Sequence, residues 1–303
     1  MMLRRSLLAA APLLILPCVA RGLGSRTLKS RGIPCTPITT ATTISTAGCY
    51  VLGANVTGGI LILANDVTLI GGGYTLDSLI VGQFSTRVSG VLIQDLTVSQ
   101  NSGTTIVTVW GNDTVTQTAP AVHFNRVTIS NLASAGGVGN PMQTSANNIL
   151  IEHCVFTTYA SPSNPPPVGT DDPLAISGVH LGAGNNTVAR WVVVDSCTFG
   201  PSFDLGIEGI DGGWDHCTIS NCVATGGAFG GFGGFFLEVG DPTCGFVITN
   251  NTFMGNTLHN GWRFCTPQGG GGGVGTASSD AAANAAWGTG TAFGNVFSGN
   301  TYV

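Results

Sequence analysis

The chain has 303 residues, 46 of them glycine, with 43% hydrophobic but only 8% charged residues. That length can bury a core in one large domain or two smaller ones, and so few charges exclude a helical bundle, whose outer faces need them. From residue 33 onward only Arg87, Arg126, Arg190 and Arg263 face all 15 acidic residues, which excludes a nucleic-acid partner, because phosphate neutralisation needs clustered Lys and Arg.

In chain order, residues 1–20 read as an export signal. Arg4 and Arg5 precede the apolar run Leu7 to Leu16, and Cys18-Val19-Ala20 offers small residues for cleavage. The run is too short for a membrane anchor, so no membrane span is expected after its removal and the location is read as secreted or periplasmic. The pair Arg4-Arg5 also fits a twin-arginine signal. Residues 21–34 form a basic, disordered lead, and residues 35–57 an N-terminal cap. Cleavage leaves eight of nine cysteines, an even number that permits disulfides outside the cytoplasm. Cys35 and Cys49 stand apart from the others and are the expected pair.

Between residues 58 and 77 three short apolar runs are separated by Asn-Asp and Gly-rich turns, a strand pattern. A six-residue box then recurs: IQDLTV, FNRVTI, IEHCVF, VDSCTF, WDHCTI and ITNNTF, ending at Val98, Ile129, Phe156, Phe199, Ile219 and Phe253, with a weaker copy from Phe293 to Phe297. Repeats of this size mean stacked units that cannot bury a core singly. The shortest gap, 20 residues from Phe199 to Ile219, is too small for a helix-plus-strand unit and suits three short strands per coil. Stacking of equivalent boxes predicts a ladder of Cys154, Cys197 and Cys217, and one outer ladder for His153 and His216. Residues 267–290 are Gly- and Ala-rich and read as a loop. The strand-like ending Asn300-Thr301-Tyr302 has no evident cap, which predicts either a homo-oligomer contact there or a truncated product.

On these boxes the chain resembles the right-handed parallel β-helix proteins of the pectin-lyase-like superfamily, over roughly residues 58–253. The resemblance implies an all-β fold, a single right-handed parallel β-helix, for residues 35–303. It also implies a polysaccharide partner. Asp171-Asp172-Pro173-Leu174-Ala175-Ile176, followed by VVVDSCTF and SFDLGIEG, is similar to the polygalacturonase order around residues 140–208. Carried over, Asp171 is the general acid and Asp172 the base acting on water, chemistry that two carboxyl groups can perform on a glycosidic bond. The chain departs from that pattern at Phe203, where a His is expected, at Asn140-Pro141-Met142, which lacks a carboxylate, and at Gly261-Trp262-Arg263, which lacks a lysine.

Neighbouring strand residues point to opposite faces, so Asp171 and Asp172 share a groove only at an irregular strand entrance. Pro173 holds Asp172 extended and suits such an entrance. Asp204, Glu208, Arg190, Trp191 and Arg263 are the candidate binding residues. Three readings stay open: a paired-Asp glycoside hydrolase without cofactor, a non-catalytic surface or glycan-binding β-helix, and a calcium-dependent polysaccharide lyase, the one reading that needs a metal.

Overall fold

The computed structural model describes residues 34–83, 85–100, 106–111, 119–131, 142–145, 147–157, 174–177, 187–202, 205–209, 212–226, 234–237, 248–258, 262–266, 273–286 and 292–303. Within them the chain is all-β, with 31 strands and one short helix, Asp280–Ala286. Nearly all pairings are parallel, in long sheets of the kind compatible with a parallel β-helix. No helix among the described residues is long and apolar enough to cross a membrane.

Ten strands form sheet one, from Thr36–Ile38 at one edge to Val296–Ser298 at the other. Seventeen form sheet two, and sheet three holds Thr187–Arg190, Gly212–Asp215, Ile248–Thr249 and Ala292–Phe293. The chain leaves sheet one, passes through sheet two, and returns to sheet one beside the strand it left. Each return makes one winding.

Strand alternation places every second side chain inside. In sheet one the in-register column Leu69, Ile93, Phe124, Ile151, Val194, Ile219, Phe253 and Phe297 is buried throughout. In sheet two Val98, Ile129, Phe156 and Phe199 follow the same rule. Exact register stacks the rings: Phe156 and Phe199 lie 4.9 Å apart and 6° from parallel, Phe253 and Phe297 4.6 Å apart. The spacing is that of neighbouring strands. Each such phenylalanine contributes roughly 2–3 kcal/mol by its burial.

The segment read as a cap, residues 35–57, pairs within the same sheets: Thr36–Ile38 and Gly48–Leu52 belong to sheet one, and Thr42–Ile44 to sheet two. Thr36 pairs with Tyr50, so the adjacent Cys35 and Cys49 meet across the same two strands, and they are disulfide-bonded as expected.

The repeat is not what the boxes imply. Phe199 pairs with Ala224, and Ile219 pairs with Val194. The 20-residue gap therefore runs from one corner of a winding to another corner, not around a coil. Boxes ending at Val98, Ile129, Phe156 and Phe199 turn from sheet one into sheet two; those ending at Ile219, Phe253 and Phe297 turn from sheet three into sheet one. Both corners share the same local chemistry: a residue in the left-handed region, then a buried residue, then a strand. One box serves both, and the sequence pattern does not distinguish them.

Two expectations change as a result. The thiol column is Cys154, Cys197 and Cys222, linked by Thr198 N donating to Cys154 O and Val223 N to Cys197 O; Cys217 lies at the other corner. His153 and His216 also belong to different corners, so they share no ladder.

Below the thiols, asparagines take the same positions. Cys222 N donates to Asn256 Oδ1 (3.0 Å), and Asn256 N to Asn300 Oδ1 (3.0 Å). At the corner from sheet three into sheet one Cys217 N donates to Asn251 Oδ1 (2.8 Å), and Asn251 N to Asn295 Oδ1 (3.1 Å). Asn251 and Asn256 are fully buried. Their amides satisfy backbone N–H groups that the turn takes out of the sheet ladder.

The last winding is capped. Within the segment read as a Gly/Ala-rich loop (267–290), Gly273–Ala277 pairs antiparallel with Trp262–Thr266, and Asp280–Ala286 is helical. The sequence hid this cap because its working residues, Asp280 and Asn284, sit in an Ala-rich run without an apolar stripe. Ser279 starts the helix, its Oγ accepting from Ala282 N at 3.2 Å, as expected of an N-cap serine.

Candidate functional site

The windings turn at two corner columns in which left-handed residues recur. The corner into sheet one uses Asp66, Asn148, Trp191, His216 and Asn250, with Gly90 and Gly294 in the same column. The corner into sheet two uses Asp95, Arg126, His153, Ser196 and Asn221, then Gly255 and Gly299. Asp, Asn and Gly adopt this conformation readily; a tryptophan at φ 59° does not, and such a residue costs on the order of 1–3 kcal/mol. The surrounding structure must hold Trp191 there.

Arg190 ends one strand of sheet three and Trp191 follows it, and the next winding places Asp215 and His216 directly against them. Arg190 pairs in register with Asp215, and its Nε lies 3.4 Å from Asp215 Oδ2. The imidazole of His216 packs on the Trp191 indole, centroids 4.2 Å apart, so one face of that ring is occupied. From the winding beyond, Thr249 Oγ1 donates to Asp215 Oδ1 (2.8 Å) and Asn250 Nδ2 to the same oxygen (3.3 Å). His216 Nδ1 also lies 2.8 Å from that oxygen, but without the alignment of a directed hydrogen bond.

Burial alone would raise the Asp215 carboxyl. The hydrogen bonds from Thr249 and Asn250 and the charge of His216 outweigh it and hold the group below its ordinary value. An acid kept ionised by its donors is a poor proton donor at neutral pH. Asp215 is therefore placed to organise a polar corner as an ionised acceptor.

The second corner reads the same way. Asp195 accepts from Ser220 Oγ (2.6 Å), Asn221 Nδ2 (2.8 Å) and Ser196 Oγ (3.0 Å). Glu152 lies in register with Asp195 on the neighbouring winding, but its Oε1 is 2.8 Å from His123 Nε2. Arg126 grips Asp95 through both Nε (2.6 Å) and Nη2 (2.8 Å). These acids spend their oxygens within the protein. Among the described residues no group of three His, Cys, Asp or Glu side chains is arranged to hold a metal ion. A shallow groove on the outer face of sheet two, between Thr43, Leu61 and Ile80, carries no titratable side chain.

The other candidates divide by position. Asp171, Asp172 and Asp204 lie outside the described residues. The strand that Asp171-Asp172-Pro173 leads into, Leu174–Ser177, sits in sheet two between Met142–Ser145 and Leu205–Gly209. Glu208 pairs with Ala175 in that register. Ile207 pairs with Phe235 and Phe236 with Arg263, which sets Glu208 and Arg263 on one backbone column two windings apart, about 10 Å at the usual strand spacing. The side chains of both lie outside the described set. Arg190 and Trp191 are brought together; Glu208 and Arg263 belong to a different sheet.

Sequence reasoning missed Asp215, His216, Thr249 and Asn250 as partners of Arg190 and Trp191. The available signal was the alignment of Ala189-Arg190-Trp191-Val192-Val193-Val194 with WDHCTI. The first of these lacks the Thr that made the other boxes visible.

Comparison of the chain with protein-family models, with curated proteins and with solved structures finds no match.

Proposed function

We propose that the chain is an exported, single right-handed parallel β-helix of the pectin-lyase-like kind that engages polysaccharide along the Arg190–Trp191 corner. The observation that carries this reading is the strained, half-buried Trp191 seated beside the Arg190–Asp215 pair and His216. A guanidinium, an ionised carboxylate, an amide and an aromatic edge on successive windings supply the donors, acceptors and apolar surface that sugar hydroxyls and ring C–H groups require. Backbone strain held at a half-buried corner supports a functional reading of that position.

Hydrolysis by Asp171 and Asp172 is the second reading. It is supported by the position of Leu174–Ser177, which enters a regular sheet directly after Asp171-Asp172-Pro173. In this reading Asp171 protonates the leaving oxygen and Asp172 activates water.

The two readings separate in one experiment: a panel of neutral and acidic polysaccharides, assayed by affinity electrophoresis and by release of reducing ends, with and without EDTA. Retardation lost in Arg190→Ala and Trp191→Ala supports the corner, and retardation unchanged in both sinks it. Reducing ends released by the parent and not by Asp171→Asn or Asp172→Asn support hydrolysis. Release that survives both changes removes that pair.

A further inference from the structure

Each corner carries an arginine–aspartate pair, and the two pairs are built differently. Arg126 closes on Asp95 as a two-point fork, Nε to Oδ1 at 2.6 Å and Nη2 to Oδ2 at 2.8 Å, so each group is spent on the other. Arg190 and Asp215 also stand in register on neighbouring windings. Yet Arg190 approaches only through Nε, 3.4 Å from Oδ2, beyond the roughly 2.7–2.9 Å of a charge-assisted hydrogen bond. Among the described residues its Nη1 and Nη2 have no partner. Asp215 is held from its other oxygen, where Thr249 and Asn250 both donate to Oδ1. Oδ2 keeps the loose guanidinium contact alone. With side chains 44% and 18% exposed, both members of the pair reach solvent.

We propose, resting on the polysaccharide reading of this corner, that the Arg190–Asp215 pair clamps a vicinal diol, and that the glycan held there is neutral and bears adjacent free hydroxyls. A vicinal diol is met by one acceptor and one donor side by side: one hydroxyl donates to Oδ2, and its neighbour accepts from an Nη–H. The open pair offers that combination, and the closed fork of Arg126 and Asp95 does not. Asp215 is fixed by its own donors before a ligand arrives, so little ordering is left for binding. Trp191 follows Arg190 in the chain, and its ring packs on His216 from the winding of Asp215. The C–H groups of the clamped ring therefore lie beside the indole edge. Charge sets the sugar class. Asp215 offsets the charge of Arg190, and the strands Thr187–Arg190, Gly212–Asp215 and Ile248–Thr249 hold no second Lys or Arg. A uronate carboxylate at the clamp would meet the Asp215 carboxylate, a like-charge contact that disfavours acidic glycans.

The experiment is affinity electrophoresis of the full chain in gels holding galactomannan, xyloglucan or xylan, each before and after periodate oxidation and borohydride reduction, and in gels holding polygalacturonate. Periodate cleaves the carbon–carbon bond between adjacent free hydroxyls, and reduction leaves the polymer neutral. The parent is expected to be retarded by at least one intact neutral polymer, at least tenfold less by its oxidised form, and not by polygalacturonate. Asp215→Asn keeps an oxygen for Thr249 but turns the free acceptor into a donor, and it is expected to lose retardation to the same degree. Retardation that Trp191→Ala abolishes but that survives periodate, that folded Asp215→Asn retains, or that polygalacturonate gives as strongly, overturns the clamp and leaves the corner reading standing. Retardation untouched by Trp191→Ala, or absent on every polymer, overturns both. The periodate comparison uses the parent alone, so it does not depend on the folding of any variant.

Discussion

Trp191 and His216 occupy the same left-handed corner position on successive windings, with φ of 59° and 56° and ring centroids 4.2 Å apart. The column they share is otherwise built from Asp, Asn and Gly at nearly every position, so the two bulky rings are held against backbone preference. That contrast separates what the corner needs for folding from what it offers to a ligand.

Trp191→Gly is the direct test. Glycine already serves this corner at Gly90 and Gly294, and it relieves strain on the order of 1–3 kcal/mol while losing the contact with His216. Folding stability in urea is expected to stay within about 1 kcal/mol of the parent, while polysaccharide retardation falls at least tenfold. A large loss of stability with retardation intact would make Trp191 structural.

His123 predicts an acid-sensitive step. Burial pushes its imidazole down more strongly than Glu152 raises it, so its folded value lies below the ordinary one. Between that folded value and the unfolded value of about 6.5 the unfolded chain binds more protons. Stability is therefore untouched above about pH 6.5, and it falls as the pH drops from there towards the folded value. The curve of His123→Gln should lack that step. Parallel curves for parent and variant across the window would remove His123 as its source.

The interior thiols should be silent until the protein unfolds. Burial, with Cys154 and Cys222 alongside, pushes Cys197 well up, and burial takes Cys217 up to about 12. Thiolate is the reactive form. Peptide mapping after alkylation at neutral pH is expected to find Cys197 and Cys217 unmodified in the native chain and fully modified in denaturant. Rapid labelling of either residue in the native chain would contradict their burial.

Asn256 is expected to matter more than its polarity suggests. It accepts from Cys222 N, and its Nδ2 donates to Ile219 O (3.0 Å) and to Asn300 Oδ1 (2.9 Å). Asn256→Ala leaves the buried N–H of Cys222 unpaired, a loss of about 1–3 kcal/mol. Equilibrium unfolding measures it, and a loss under 1 kcal/mol would mean that water or a neighbour replaces the amide.

Residue patterning alone establishes the all-β class and the apolar columns, and it sets Cys35 and Cys49 apart as the expected pair. Alternation of apolar and polar residues is a local property, and stacking repeats it at every winding. Register it did not determine. Left-handed turns at two corners call for the same residue types, so WDHCTI and VDSCTF look equivalent although Ile219 lies against Val194 and Phe199 against Ala224. The unequal lengths of the windings decide which corner a box serves, and only hydrogen bonding between distant segments records that. The same is true of the polar partners. Arg190 and Trp191 could be chosen as residue types, but Asp215, His216, Thr249 and Asn250 join them because three separate windings place those positions side by side. The closing helix follows the same logic: Asn284 is one more asparagine in the sequence, and only the folded chain sets its amide against the N–H and carbonyl of Phe297.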